Sequence, residues 1–264
     1  MAGFETSSGS PVAALARVRQ VAVQTLTEAL RLRLTVLLAA LGVLLALLAL
    51  WLREFNFGAA ELKFMADFGL GAISLLGTLL AAAGMAHLYF RDVGGGLAAV
   101  VLTRAVRRGE YLAGKLAGVA ALLALFTAGL ALVLAVLIAV REAQLDAVLV
   151  PLPLFLQACA LVWLKLTLVA AMTLLVCSYA GSELFAACAG LLLAAIAHLR
   201  TFTEPEGWLS WLRVWPNLGL FDAEPLLAGR SLGAAGLLGL AGYWVVFIAL
   251  FAGLAAYVFR RREF

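Results

Sequence analysis

The stretch LTVLLAALGVLLALLALWL, Leu34–Leu52, runs nineteen residues without a charge. A bilayer core about 30 Å thick needs roughly 20 apolar residues of helix, so this run is nearly a complete span by itself. The pattern recurs along the chain. Between Asp67 and Arg91 lie 23 uncharged residues, between Lys115 and Arg141 there are 25, and between Arg230 and Arg260 there are 29. At 264 residues, 65% hydrophobic and mean hydropathy +1.08, the chain is far more apolar than a soluble domain. The hydrophilic remainder is too small for a folded aqueous domain of any size. The compatible functions are transport, signalling, membrane-embedded catalysis, or anchoring of a soluble partner.

The expected fold is all-α, a single polytopic membrane domain with six spans at 34–52, 68–90, 116–140, 152–177, 184–199 and 234–259. Lys165 interrupts the fourth. The fifth has 16 residues, a helix of only about 24 Å, so it must borrow from Ser182–Glu183, thin the bilayer or stop short. The amino terminus lacks a signal peptide's short apolar region and cleavage site, and the first span is expected to remain as an uncleaved helix.

Lysine and arginine set the orientation. Four arginines precede the first span, four arginines and Lys115 follow the second, and Arg260, Arg261 and Arg262 follow the sixth, twelve in all on one side. The other side has six: Arg53, Lys63, Arg141, Arg200, Arg213 and Arg230. The positive-inside rule then places both termini and the 91–115 loop in the cytoplasm.

Residues 11–33 have helical amphipathicity. Leu15, Val18, Ala22, Leu26 and Leu30 fall on one face, with Arg17, Gln20, Gln24, Glu28 and Arg31 opposite. Two readings are open, an extension of the first helix into water or a helix lying in the inner-leaflet interface. A polar stripe along the whole length favours the interface. Outside, residues 201–233 carry Trp208, Trp211 and Trp215 on one helical face before Pro216-Asn217. Indoles prefer the headgroup zone, which points to a short helix skimming the outer leaflet.

Catalytic chemistry is scarce. Gly109-Glu-Tyr-Leu-Ala-Gly114-Lys115 spells G-x-x-x-x-G-K, but residue 116 is Leu where a P-loop needs Ser or Thr, and no strand pattern precedes it. No nucleotide binding is expected of this chain. Ser/His/Asp and Cys/His sets are not evident. His87 and His198 sit near opposite ends of their spans, and no cluster of intramembrane carboxylates offers a proton relay. Cys159, Cys177 and Cys188 lie in apolar stretches without metal-ligand spacing and read as small buried hydrophobes.

Lys165 stands out within the membrane. A central Lys costs about 2.5–3.5 kcal/mol by insertion scales, so it either faces a cavity or partner or snorkels along its stem. Both readings stay open, and the sequence names no obvious acidic partner. Ala186, Gly190 and Ala194 form a small-xxx-small ladder, and Gly77 with Ala81 another. Such faces let helices pack closely in lipid.

The leader, the spans, the loop and the tail together resemble the permease subunit of an ABC-2 type transporter across nearly the whole chain. The most specific stretch is the loop 91–115, with Asp92, Gly95 or Gly96, Leu102, Arg104, Arg108, Glu110, Tyr111, Gly114 and Lys115 matching the family pattern. Ala105 stands where Pro is usual, and Asp92 where Glu is usual. Pro216-Asn217-Leu-Gly-Leu-Phe-Asp222 and the closing Phe259-Arg-Arg-Arg-Glu-Phe264 also match.

The resemblance implies a dimer of permeases, with a second copy of this chain or a related one, each seated on a separate ATPase subunit that holds ATP and magnesium. The chain itself would carry no cofactor, no metal and no catalytic residue, and would bind no nucleic acid. A coupling helix over 92–103 would dock on the ATPase through Asp92, Gly95, Leu97, Val101, Leu102, Arg104, Arg108 and Glu110. The implied activity is export of a lipid-like, amphipathic, drug or peptide substrate across the bacterial inner membrane. An alternative is a mechanical transmitter or assembly scaffold acting on an envelope partner. A membrane-embedded enzyme is disfavoured, because no convergent Asp, Glu, His or Ser cluster falls at one membrane face.

Overall fold

The computed structural model describes residues 11–51, 61–95, 107–145, 151–201, 215–227 and 232–261. The described residues are helical, with no strand among them. The long helices are α1 (Pro11–Leu30), α2 (Arg33–Trp51), α3 (Glu61–Gly94), α4 (Arg108–Leu145), α5 (Leu152–Tyr179) and α6 (Glu183–Leu199). A 3-10 turn (Leu218–Phe221), a short α7 (Glu224–Leu227) and α8 (Ala234–Arg260) complete the order.

Four helices, α3, α4, α5 and α8, are each long and apolar enough to cross a membrane. The pair α1–α2 makes a fifth if the two are counted as one bent span, and α6 is shorter. Four to five candidates therefore stand where six were expected. The expected 68–90 and 116–140 spans are the middles of longer helices, because Asp67, Arg91 and Glu110 stay helical beyond the apolar runs.

α5 is the centre of the bundle and packs on α3, α4, α6 and α8. Every residue from Lys165 to Leu174 is buried, so most of its apolar surface meets protein. α8 is the opposite case. Of its described residues only Phe251, Ala255 and Phe259 are buried, and Leu238, Val246 and Tyr257 face outward.

α1 departs from the reading as a straight extension of the first span. It does not continue into α2, because the chain bends by 63° between them. The Thr35 hydroxyl donates to the Ala29 carbonyl at 2.8 Å across the corner. Instead α1 lies along the first half of α4. Its buried stripe is Val21, Thr25 and Ala29, while Leu15 and Leu30 of the expected apolar face are exposed. Two glycines of α4 decide this. A Cβ on Gly114 would sit 2.9 Å from the Val18 carbonyl oxygen, and one on Gly118 would sit 2.7 Å from that of Ala22. Without side chains there, the two backbones close together.

Candidate functional site

Polar side chains gather at two ends of the bundle. The first cluster is where α3 ends and α4 begins. Asp92, buried on the last turn of α3, pairs with the fully buried Lys115 of α4. The Tyr111 hydroxyl donates to Asp92 Oδ2 at 2.9 Å. Two charges removed from water demand such satisfaction, since an unpaired one costs several kcal/mol.

Around this pair lie further ties. Arg17 of α1 makes a two-pronged contact with Glu110, Nε to Oε2 at 2.8 Å and Nη2 to Oε1 at 2.9 Å. Glu110 is the third residue of α4 and also accepts the Arg107 backbone N–H at 3.1 Å, which satisfies a free donor at the helix start. Arg91 of α3 pairs with Glu28 of α1. Arg108 donates to the carbonyls of Phe259 and Arg260 at 3.1 and 2.8 Å, capping the end of α8. Four helices are thus bound together around both ends of the 96–106 segment.

Asp92 is the first residue of the expected 92–103 coupling helix. It belongs to α3 and faces inward to Lys115 and Tyr111, because helical backbone continues to Gly94. Gly95 N–H closes α3 by donating to the Arg91 carbonyl at 2.9 Å. Glu110 and Arg108 likewise hold α1 and α8. Leu97, Val101, Leu102 and Arg104 lie outside the described residues.

The second cluster contains Lys165. Its Nζ donates to Asp222 Oδ1 at 2.9 Å. Lys165 is thirteen residues into α5, about 20 Å of helix from its start. The acid is brought to it by the 215–227 segment, which folds into the bundle. Leu218, Phe221 and Leu226 are buried there. The Asn217 side chain accepts the Gly219 N–H at 3.0 Å, and the Tyr243 hydroxyl of α8 accepts the Asn217 N–H at 2.7 Å. Residues 218–227 therefore pack on α3, α5 and α6. Trp215 packs edge-on against Phe251 at 5.9 Å, while Trp208 and Trp211 are outside the described residues.

Lys165 and Asp222 line a cavity of about 760 Å³ between α3, α5, α6 and the 218–227 segment. Asp67, His198 and Glu224 add titratable groups, and leucines of α3 and α6 supply much of the rest. Ala194 of the small-residue ladder also lines it. Ala186 and Gly190 are buried further along α6, with Gly190 against Thr173 of α5.

Sequence reading missed Asp222 as the partner of Lys165. The usable signal was the lysine itself, since a buried ammonium requires an acid, and Asp222 ends a motif already singled out. It also missed Gly114-x-x-x-Gly118, a close-packing spacing obscured by the P-loop-like string beside it. Compared with models of known families and with curated proteins, the chain matches none.

Proposed function

We propose that the chain is the membrane permease subunit of an ATP-driven exporter of the ABC-2 type, working as a dimer on separate ATPase subunits. In this reading it has six spans, sits in the bacterial inner membrane, and keeps both termini and the 96–106 segment in the cytoplasm. The observation that carries the reading is the ionic framework at that end. Arg17–Glu110, Glu28–Arg91, Asp92–Lys115 and Arg108 with the end of α8 join α1, α3, α4 and α8. A push on the 96–106 segment from an ATPase reaches all four helices together. Coupling through packed helices and ion pairs needs such a contiguous rigid frame.

The cargo would be lipid-like, amphipathic, or a drug or peptide, held in the Lys165 cavity. α1, seated on α4 with Leu15 and Leu30 turned outward, would also touch the inner leaflet. A second reading is favoured by one contact. Lys165–Asp222 ties α5 to the 215–227 segment, so helix motion could be delivered to an envelope partner instead of to cargo.

The test is affinity purification of the tagged chain from its native membrane. An ATPase subunit should accompany it, with ATPase activity that is lost in Leu102→Asp although the permease still inserts. Unchanged co-purification and unchanged activity in that variant would refute the docking role. Stimulation by a partner protein, and not by amphiphiles, would favour the second reading.

A further inference from the structure

The cavity has a polar end and a more apolar end. Along α3 its lining runs from Asp67 to Leu79, twelve residues and about 18 Å of helix. The carboxylate is at one end, with Leu75 and Leu79 at the other. α6 runs the opposite way, and its lining repeats the order, His198 beside the polar end and Leu191 about two turns away from it.

Among the described residues, three carboxylates and one ammonium line this space, and they are not equivalent. Lys165 and Asp222 are engaged with each other at 2.9 Å. Asp67 and Glu224, on α3 and α7, both line the cavity and make no ion pair among the described residues. Lys63, one turn from Asp67 on α3, is a through-space counter-charge to it but does not line the cavity. Among the described residues the lining thus carries an excess of carboxylates at its polar end, beside a wall of leucines. His198 offsets it only when protonated.

We propose that the cavity binds a monocationic amphiphile, with the cation held by Asp67 and Glu224 and the apolar body lying along Leu75, Leu79 and Leu191. A few placed polar groups over an apolar wall is the usual make-up of a small-molecule site. An anion fits poorly. To reach Lys165 it must displace Asp222 and leave that carboxylate without its partner. This deepens the reading of the cavity as the cargo site, and because binding is measured without an ATPase, its failure is separable from failure of the coupling test.

Tetraphenylphosphonium and tetraphenylborate have nearly the same shape and opposite charge, which isolates the electrostatic claim. The full chain, purified in a nonionic maltoside, is titrated with each by equilibrium dialysis against protein-free micelles. The phosphonium should bind saturably at one site per chain, and the borate should not. Asp67→Asn and Glu224→Gln should each weaken the phosphonium roughly three- to tenfold. Ala195, exposed on α6 and lining the cavity, provides a steric arm. Ala195→Trp should abolish saturable binding with the melting temperature unchanged. Absence of saturable phosphonium binding overturns the proposal. So does equal binding of both ions, or binding indifferent to all three substitutions.

Discussion

Lys115 and Lys165 are both buried ammonium groups on apolar helices, and their surroundings differ. The Lys115 side chain is 0% exposed and its partner Asp92 is 9% exposed. Lys165 is 10% exposed, but Asp222 is 33% exposed and faces a cavity. Removing one member of a fully buried pair leaves a charge that neither water nor protein can satisfy. Asp92→Asn should therefore destabilise by about 3–5 kcal/mol, and Asp92→Asn with Lys115→Met should recover much of that loss. Lys165→Met leaves a partly hydrated carboxylate, and its cost should stay within roughly 1 kcal/mol. Thermal unfolding of the four proteins in one detergent checks the contrast. A stable Asp92→Asn variant would show that the pair is not a structural tie.

At the scale of elements, the helices were legible and their partners were not. Apolar runs bounded by charges located α2 to α6 and α8, since lipid-length stretches leave few alternatives to helix. The helix ends drifted outward because α3 and α4 carry Asp67, Arg91, Asp92 and Glu110 within helical backbone. The fate of α1 was hidden. An amphipathic pattern says that one face avoids water, but not whether lipid or protein covers it. Here Gly114 and Gly118 decide, and they admit Val21 and Thr25 of α1 rather than the Leu15–Leu30 face. Gly118→Val should force the helices apart, because its Cβ would approach the Ala22 carbonyl, which is backbone and cannot rotate away. An overpacking cost of about 1–3 kcal/mol is expected, with faster tryptic cleavage at Arg19 as α1 lifts. Gly71→Val, where no atom lies within 4 Å of the added Cβ, is the control and should change neither. Equal effects of the two substitutions would show that α1 does not depend on this close approach.

For the whole molecule, the two polar clusters lie at opposite ends of the same bundle. α3 runs from the cavity to the ionic framework, and α4 begins at the framework and runs back. The Lys165 cavity was half legible. Its lysine was visible as an anomaly, but Asp222 is 57 residues away in sequence and no periodicity connects the two. What sequence does supply at this scale is the twelve-to-six division of Lys and Arg, and it makes the orientation testable. In a cysteine-free background, Arg107→Cys sits at the framework end and Gln144→Cys near the end of α4 on the cavity side, both exposed. With the framework in the cytoplasm, an impermeant thiol reagent added to intact cells should label position 144 and spare position 107. Permeabilised cells should label both. Labelling of 107 alone in intact cells would reverse the molecule. The framework would then be out of an ATPase's reach and the coupling role excluded, while the charge asymmetry of the cavity, fixed by Asp67 and Glu224, would stand.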